Sequence, residues 1–225
     1  MKSAVSIRSL ADAKNPASFS NRMRDRRFVR FESLTAGFAR PLRILDIGGT
    51  TAFWERRGWA GRSDIQLTLV NLAAEPSAHA NITSIAGDAT RLTDYADQDF
   101  DIAFSNSVIE HLFSWENQQA MAREVQRVAR AFWVQTPNYW FPVEPHFHVV
   151  GWQWLPEEVR VALLRRRRCG WRGPCRDAEQ ARHHVREVRL LTRRDLAVLF
   201  PTATVTPERI FGLTKSWVVT GGFPL

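Results

Sequence analysis

Four places in the first half of the chain set an acid, an amide or a hydroxyl at the end of a short apolar run. In "RILDIGGTTAFWE", Asp46 stands near the end of the run and Gly48 and Gly49 follow it. The two glycines remove side chains just where the backbone must turn sharply. Asn71 comes near the end of "IQLTLVNL", Asp88 directly after "ITSIAG", and Ser105-Asn106 at the end of "FDIAFSN". Such side chains offer acceptors and donors, and the glycines allow close approach of the backbone. In an open α/β sheet, ligands bind at the carboxyl ends of the strands.

The elements that must position these residues alternate along the chain. The pattern predicts strands at Leu42–Ile47, Ile65–Leu72, Ile82–Ala86 and Phe100–Ser105, with Phe132–Gln135 as the core of a fifth. Trp115–Val128 reads as a helix with Ser114 as N-cap. Short apolar strands separated by helical or turn segments point to a parallel sheet covered on both faces. Near the end, Thr192 to Asp195 resembles a capping box opening a helix to about Phe200. Thr204–Phe211 and Lys215–Thr220 read as strands of a hairpin joined by Gly212-Leu213-Thr214.

Two segments stand outside this alternation. Residues 1–40 read as a leader, Met1–Asn15, followed by an amphipathic helix within Ser20–Phe38. Its stripe is Phe28, Phe31, Leu34 and Phe38, and Arg22, Arg24, Arg26, Arg27 and Arg30 lie mostly off it. Residues 41–225 read as one α/β domain with an aromatic and basic insertion at about 139–190. Within it, Pro156 starts a helix that Arg165–Arg168 close, and Ala178–Arg189 reads as a second helix.

The net charge of +8 and a sequence pI near 10.6 leave two readings open, an acidic partner or a solvated basic surface. The two cysteines, Cys169 and Cys175, are too few for a disulfide framework. With His183 and His184 they match no common zinc spacing, so they read as free thiols and no metal site is assigned. No signal peptide or membrane-length apolar run is apparent. The expected location is cytoplasmic, with peripheral contact to an anionic membrane surface kept open.

Taken in order, "LDIGGT", "VNL", "GDAT", "FDIAFSNSVIEHL", "FWVQTPN" and "GLTKSWVV" resemble the class I S-adenosylmethionine-dependent methyltransferases. The resemblance implies a Rossmann-like α/β fold with seven strands, six parallel and one antiparallel. It implies S-adenosylmethionine as cofactor, with Asp46, Gly48, Gly49 and Thr50 around its amino-acid end. Asn71 would hydrogen-bond the ribose hydroxyls, with Leu72 beside it in the cofactor set, Asp88 and Ala89 would meet the adenine, and Ser105 and Asn106 the floor near the sulfonium. Thr50 stands where the family usually has a further glycine, and Asn71 where it usually has Asp or Glu. Asn can still bond a hydroxyl, without the charge.

Methyl transfer to a hydroxyl benefits from a positioned base, and His111 in "IEHL" is the candidate, with His146 and His148 as rivals. The alternative role for His111 is to order its loop. Trp140, Phe141, Phe147, Trp152, Trp154 and Leu155 could line an apolar acceptor pocket or meet a membrane. The expected acceptor is a small molecule, a sugar or a lipid-linked compound, methylated at oxygen. Nucleic acid is less favoured as a partner, because no RNA-binding module and no Asn/Asp-Pro-Pro-aromatic signature is present. A methyltransferase fold without activity, serving as a binding protein, is the non-enzymatic alternative.

Overall fold

The computed structural model describes residues 19–224, so the leader Met1–Asn15 lies outside the described residues. In chain order the elements are α1 (Phe19–Leu34), β1 (Leu42–Ile47), α2 (Thr51–Glu55), β2 (Ile65–Asn71), β3 (Ile82–Ala86), β4 (Phe100–Asn106), α3 (Trp115–Val128), β5 (Ala129–Pro137), α4 (Glu157–Arg166), α5 (Ala178–Arg186), α6 (Arg193–Leu199), β6 (Thr204–Ile210) and β7 (Leu213–Gly221). The chain divides into two compact units, residues 37–140 with 188–225, and residues 1–36 with 141–187.

The first of these units holds a seven-stranded sheet in the order β3-β2-β1-β4-β5-β7-β6. β7 runs antiparallel to both its neighbours, and the other strands share one direction. This is a Rossmann-like sheet of six parallel strands and one antiparallel strand. β1 is buried at every position but Arg43, as expected of a central parallel strand covered on both faces. β6 is the edge strand. It is only partly buried and accommodates Pro207, which could not donate to a second neighbour.

On one side of the sheet, Met121, Val125 and Val128 of α3 and Leu196 and Leu199 of α6 join Leu45, Ile47, Ala103 and Val134 in one core. The packing uses the predicted caps. Ser114 accepts from the Asn117 N–H, and Thr192 forms a full capping box with Asp195. Elsewhere Trp54 makes ring contacts with Trp59 and Phe104, both at 5.4 Å.

Several boundaries differ from expectation. β5 continues past Gln135 to Pro137, because β7 lies beside it as far as the Pro137–Ser216 pair. β2 stops at Asn71, and α5 stops at Arg186 rather than Arg189. The hairpin turn is Phe211-Gly212, not Gly212-Leu213-Thr214. Both residues have positive φ, +49° and +79°, the signature of a two-residue type I′ turn, so Leu213 already belongs to β7.

In the second unit, α4 and α5 pair. Val161 and Leu164 of α4 and Ala181 and Val185 of α5 are buried. Arg182 pairs with Glu158 (3.0 Å) and Arg186 with Glu157 (2.9 Å) across the helices. Phe147 and Trp152 are buried and stack at 4.2 Å, so this unit uses them as core rather than as pocket lining. In α1, Phe28 and Phe31 are buried as the periodicity implied, and Leu34 is half-buried. Among the described residues, no helix is long and apolar enough to cross a membrane.

Candidate functional site

The sheet order reverses between β1 and β4, and the carboxyl ends of β1, β2, β3 and β4 carry the polar residues singled out above. An open sheet leaves its ligand crevice at that switch point.

The β1 end is built around Asp46. Its side chain is buried, and Oδ2 accepts from Trp54 Nε1 at 2.7 Å. Oδ1 is buried with no partner among the described residues. Burial pushes the carboxyl up to about 7, against the pull of the Trp54 hydrogen bond. The glycine turn lies directly on this carboxylate. A Cβ at Gly49 would stand 1.6 Å from Asp46 Oδ2, and one at Gly48 would stand 2.4 Å from a methyl of Val108. Gly48 also needs its identity for backbone reasons, with φ at +78°. Thr50, where a further glycine was the family expectation, is the N-cap of α2 and accepts from the Phe53 N–H.

Asn71 ends β2 and ties it to this turn. Its Nδ2 donates to the Gly49 carbonyl at 2.9 Å. That leaves the amide oxygen without a partner among the described residues. A carboxylate could not make the donated bond, so the amide does two tasks here. Leu72, next in the chain, is 90% exposed. After β3, Asp88 Oδ1 accepts from the backbone N–H and the hydroxyl of Thr90, at 2.8 and 2.7 Å, closing a local turn. Its second oxygen is left unclaimed among the described residues. Ala89 packs against the core beside it.

At the end of β4, Ser105 is buried and its hydroxyl has no partner among the described residues. Asn106 follows, half-buried. The chain then enters Ser107, whose φ is +61° and whose hydroxyl donates to Gln135 Oε1 at 2.8 Å. Ile109–His111 form one 3-10 turn, and the His111 N–H donates to the Val108 carbonyl. His111 is half-buried.

Residues that the sequence did not single out hold that turn in place. Gln118 Nε2 donates to the carbonyls of Ile109 and Arg189, both at 2.9 Å. The Arg189 guanidinium donates back to Gln118 Oε1, and the Arg189 N–H donates to the Glu110 carbonyl. Glu110 is buried and accepts from Thr136 Oγ1 at 3.0 Å. Trp54, Gln118, Glu110 and Arg189 carry no motif of their own. They become legible only once strand ends and helix are docked.

The rival histidines belong to the other unit. The buried Glu144 pairs with His146 Nδ1 at 2.6 Å and accepts from the N–H groups of His146 and Phe147. His148 stands edge-on to Trp171. Cys169 and Cys175 are buried and form no disulfide among the described residues, and His184 faces Arg172 and Glu187 rather than a thiol.

The cofactor implied by the resemblance can be tested against these atoms. It presents an amino group, ribose hydroxyls and an adenine amine, all of which donate. Asp46 Oδ1, the Asn71 amide oxygen, the second Asp88 oxygen and Ser105 Oγ are acceptors left unclaimed among the described residues. They stand at consecutive positions of the strand-end edge, so the residues present fit the group.

Comparison with known proteins bears on the domain as a whole. The family model described as "Methyltransferase domain" matches residues 45–131, the segment from β1 into β5. No curated protein matches. Among solved structures, a Rhodobacter sphaeroides protein described as a Zn-dependent alcohol dehydrogenase is 13% identical, with TM-score 0.52 over 84% of this chain and 86% of that one. A Bordetella parapertussis protein described as exported is 13% identical, with TM-score 0.51 over 88% of this chain and 67% of that one. A SAM-dependent methyltransferase from Aquifex aeolicus is 11% identical, with TM-score 0.48 over 86% and 87%. At such identities the first two likenesses bear on the fold alone, the third carries no argument, and neither the dehydrogenase name nor the exported one is carried over.

Proposed function

We propose, from the premise that residues 45–131 form a class I S-adenosylmethionine-dependent methyltransferase domain, that the chain methylates an oxygen of a small-molecule, sugar or lipid-linked acceptor. S-adenosylmethionine supplies the methyl carbon, activated by its sulfonium. What the protein adds is binding, orientation and a place for the proton, with reacting atoms held roughly 3 Å apart.

The observation that carries the reading is the row of unclaimed acceptors on the strand ends, from Asp46, Asn71, Asp88 and Ser105. Asp46 Oδ1 would accept from the amino-acid end, beside the Gly48-Gly49-Thr50 turn. The Asn71 oxygen would accept a ribose hydroxyl, with Leu72 covering the apolar face of the nucleoside. Asp88 would accept from the adenine amine, next to Ala89. Ser105 and Asn106 would form the floor near the reacting carbon.

His111 is the residue we assign to the acceptor. An unprotonated imidazole nitrogen takes the hydroxyl proton as the oxygen attacks. The clamp of Gln118, Arg189 and Glu110 supports that role, since a base must be held in place to be useful. The test is transfer of labelled methyl from S-adenosylmethionine to a panel of hydroxylated small molecules, sugars and lipid extracts. Label in an alkali-stable ether, lost in His111→Ala while cofactor binding persists, is the expected result. Label in an amine would overturn the oxygen reading, and full turnover by His111→Ala would overturn the assignment of His111.

A further inference from the structure

A second feature lies at the end of α4, in the unit formed by residues 1–36 and 141–187. Arg165, Arg166, Arg167 and Arg168 are all exposed. None of their side chains has an ion pair or hydrogen bond among the described residues. Other arginines of the same unit are paired, Arg172 with Glu187, Arg182 with Glu158 and Arg186 with Glu157. Four adjacent charges are thus left uncompensated on one corner.

The chain reverses directly after them. The Cys169 N–H donates to the Arg172 carbonyl at 2.9 Å and the Arg172 N–H to the Cys169 carbonyl at 3.0 Å. Gly170 and Trp171 are the central residues of this tight turn. Gly170 has φ at +56°, and a Cβ there would stand 2.3 Å from the His146 carbonyl. The turn therefore packs through Gly170 and presents Trp171 at its tip, 53% exposed. On α4, Val161 and Leu164 face inward, while Val159, seven residues before Arg166 and so on the same helical face, is 43% exposed.

We propose that this corner binds the surface of an anionic lipid bilayer. The arginines meet headgroup phosphates, and Trp171 enters the interface at headgroup level, where its ring is half apolar and half polar in its preferences. The helix buries Val161 and Leu164 within the protein, so the contact is a corner and not an embedded helix. Lipid fits better than single-stranded nucleic acid. Readers of single strands line up several aromatics along a groove, whereas here one indole caps a protruding turn. The proposal goes beyond the methyl-transfer reading and does not depend on it.

The test is co-sedimentation of the full chain with phosphatidylcholine vesicles, with and without one-third phosphatidylglycerol, at about 0.1 M salt. Binding to the anionic vesicles alone is expected. Replacing all four arginines by glutamine should weaken it at least a hundredfold, from about fivefold per arginine near the surface. Trp171→Ala should weaken it about tenfold, and this loss should persist at high salt, where the arginine contribution is screened. Should the fourfold variant misfold by circular dichroism, Arg168→Gln, beyond the end of α4, should still weaken binding about fivefold. Failure of the parent chain to bind anionic vesicles, or unchanged binding by these variants, overturns the proposal. So does tight binding of a single-stranded RNA oligomer that anionic vesicles cannot displace.

Discussion

Gly49→Ala adds one methyl group at the point where the glycine turn rests on Asp46. An ideal Cβ would lie 1.6 Å from Asp46 Oδ2, 2.1 Å from Cγ and 2.6 Å from Oδ1. No side-chain rotation of alanine can relieve this, and Asp46 cannot simply move aside, because it is buried and bonded to Trp54. Either the turn lifts or the Asp46–Trp54 bond breaks. Overpacking costs about 1–3 kcal/mol and a buried polar group left unpaired about 1–3 kcal/mol, so the combined loss of stability is about 2–6 kcal/mol. For a chain of this size that lowers the melting temperature by roughly 2–4 °C per kcal/mol. Gly58→Ala is the matched control. Gly58 has φ at +69° but nothing within 4 Å of the added Cβ, so only the conformational cost of about 1–2 kcal/mol applies. The assays are urea denaturation and calorimetric titration with S-adenosylhomocysteine at low temperature, where both variants are folded. Gly49→Ala should lose cofactor affinity at least tenfold, and Gly58→Ala should keep it. A Gly49→Ala protein with parental stability and parental affinity would refute the claim that the turn is seated on Asp46.

Three further perturbations follow, two at the same edge and one at a helix cap. The Asp46 carboxyl is raised by burial from 3.8 to about 7, so between about pH 4 and pH 7 the folded chain binds a proton that the unfolded chain has released. Its stabilising contribution is therefore complete below pH 4 and lost as pH rises through about 7. Asp46→Asn should flatten that part of the pH–stability curve in urea melts, and an unchanged slope would place the titration elsewhere. Asn71→Ala removes both the bond to the Gly49 carbonyl and the free amide oxygen and should weaken S-adenosylhomocysteine at least tenfold. Asn71→Asp restores an acceptor but sets a carboxylate against that carbonyl, and titration should rank it between parent and Asn71→Ala. Thr192→Ala removes the capping box of α6 and should cost about 1 kcal/mol in denaturant melts without changing cofactor affinity, which separates a folding role from a binding one.

The sheet was readable because its signals are local. β1 and β3 match their predicted bounds, since their apolar runs are bounded by turn residues on both sides. The caps at Ser114 and Thr192 were readable for the same reason, as each spans only four residues. What depended on neighbours was misread. β5 runs to Pro137 because β7, distant in sequence, pairs along it, and the turn at Phe211-Gly212 requires a phenylalanine at positive φ that no propensity would suggest. The site divides the same way. Asp46, Gly48, Gly49, Asn71, Asp88 and Ser105 were visible as residues closing strands. The Asp46–Trp54 bond, the tie from Asn71 to Gly49 and the Gln118–Arg189 clamp were not, because each joins residues that only the fold brings together. The aromatic insertion misled in part, since composition cannot tell a buried stacked pair such as Phe147 and Trp152 from a pocket lining.

The most direct test of the central claim is calorimetric titration of the purified chain with S-adenosylmethionine and S-adenosylhomocysteine, alongside Gly48→Val and Asp88→Ala. One site per chain is predicted, with binding abolished by Gly48→Val, whose side chain would collide with Val108, and weakened at least tenfold by Asp88→Ala. Absence of heat from a folded protein at millimolar ligand, or parental affinity in both variants, would contradict the account.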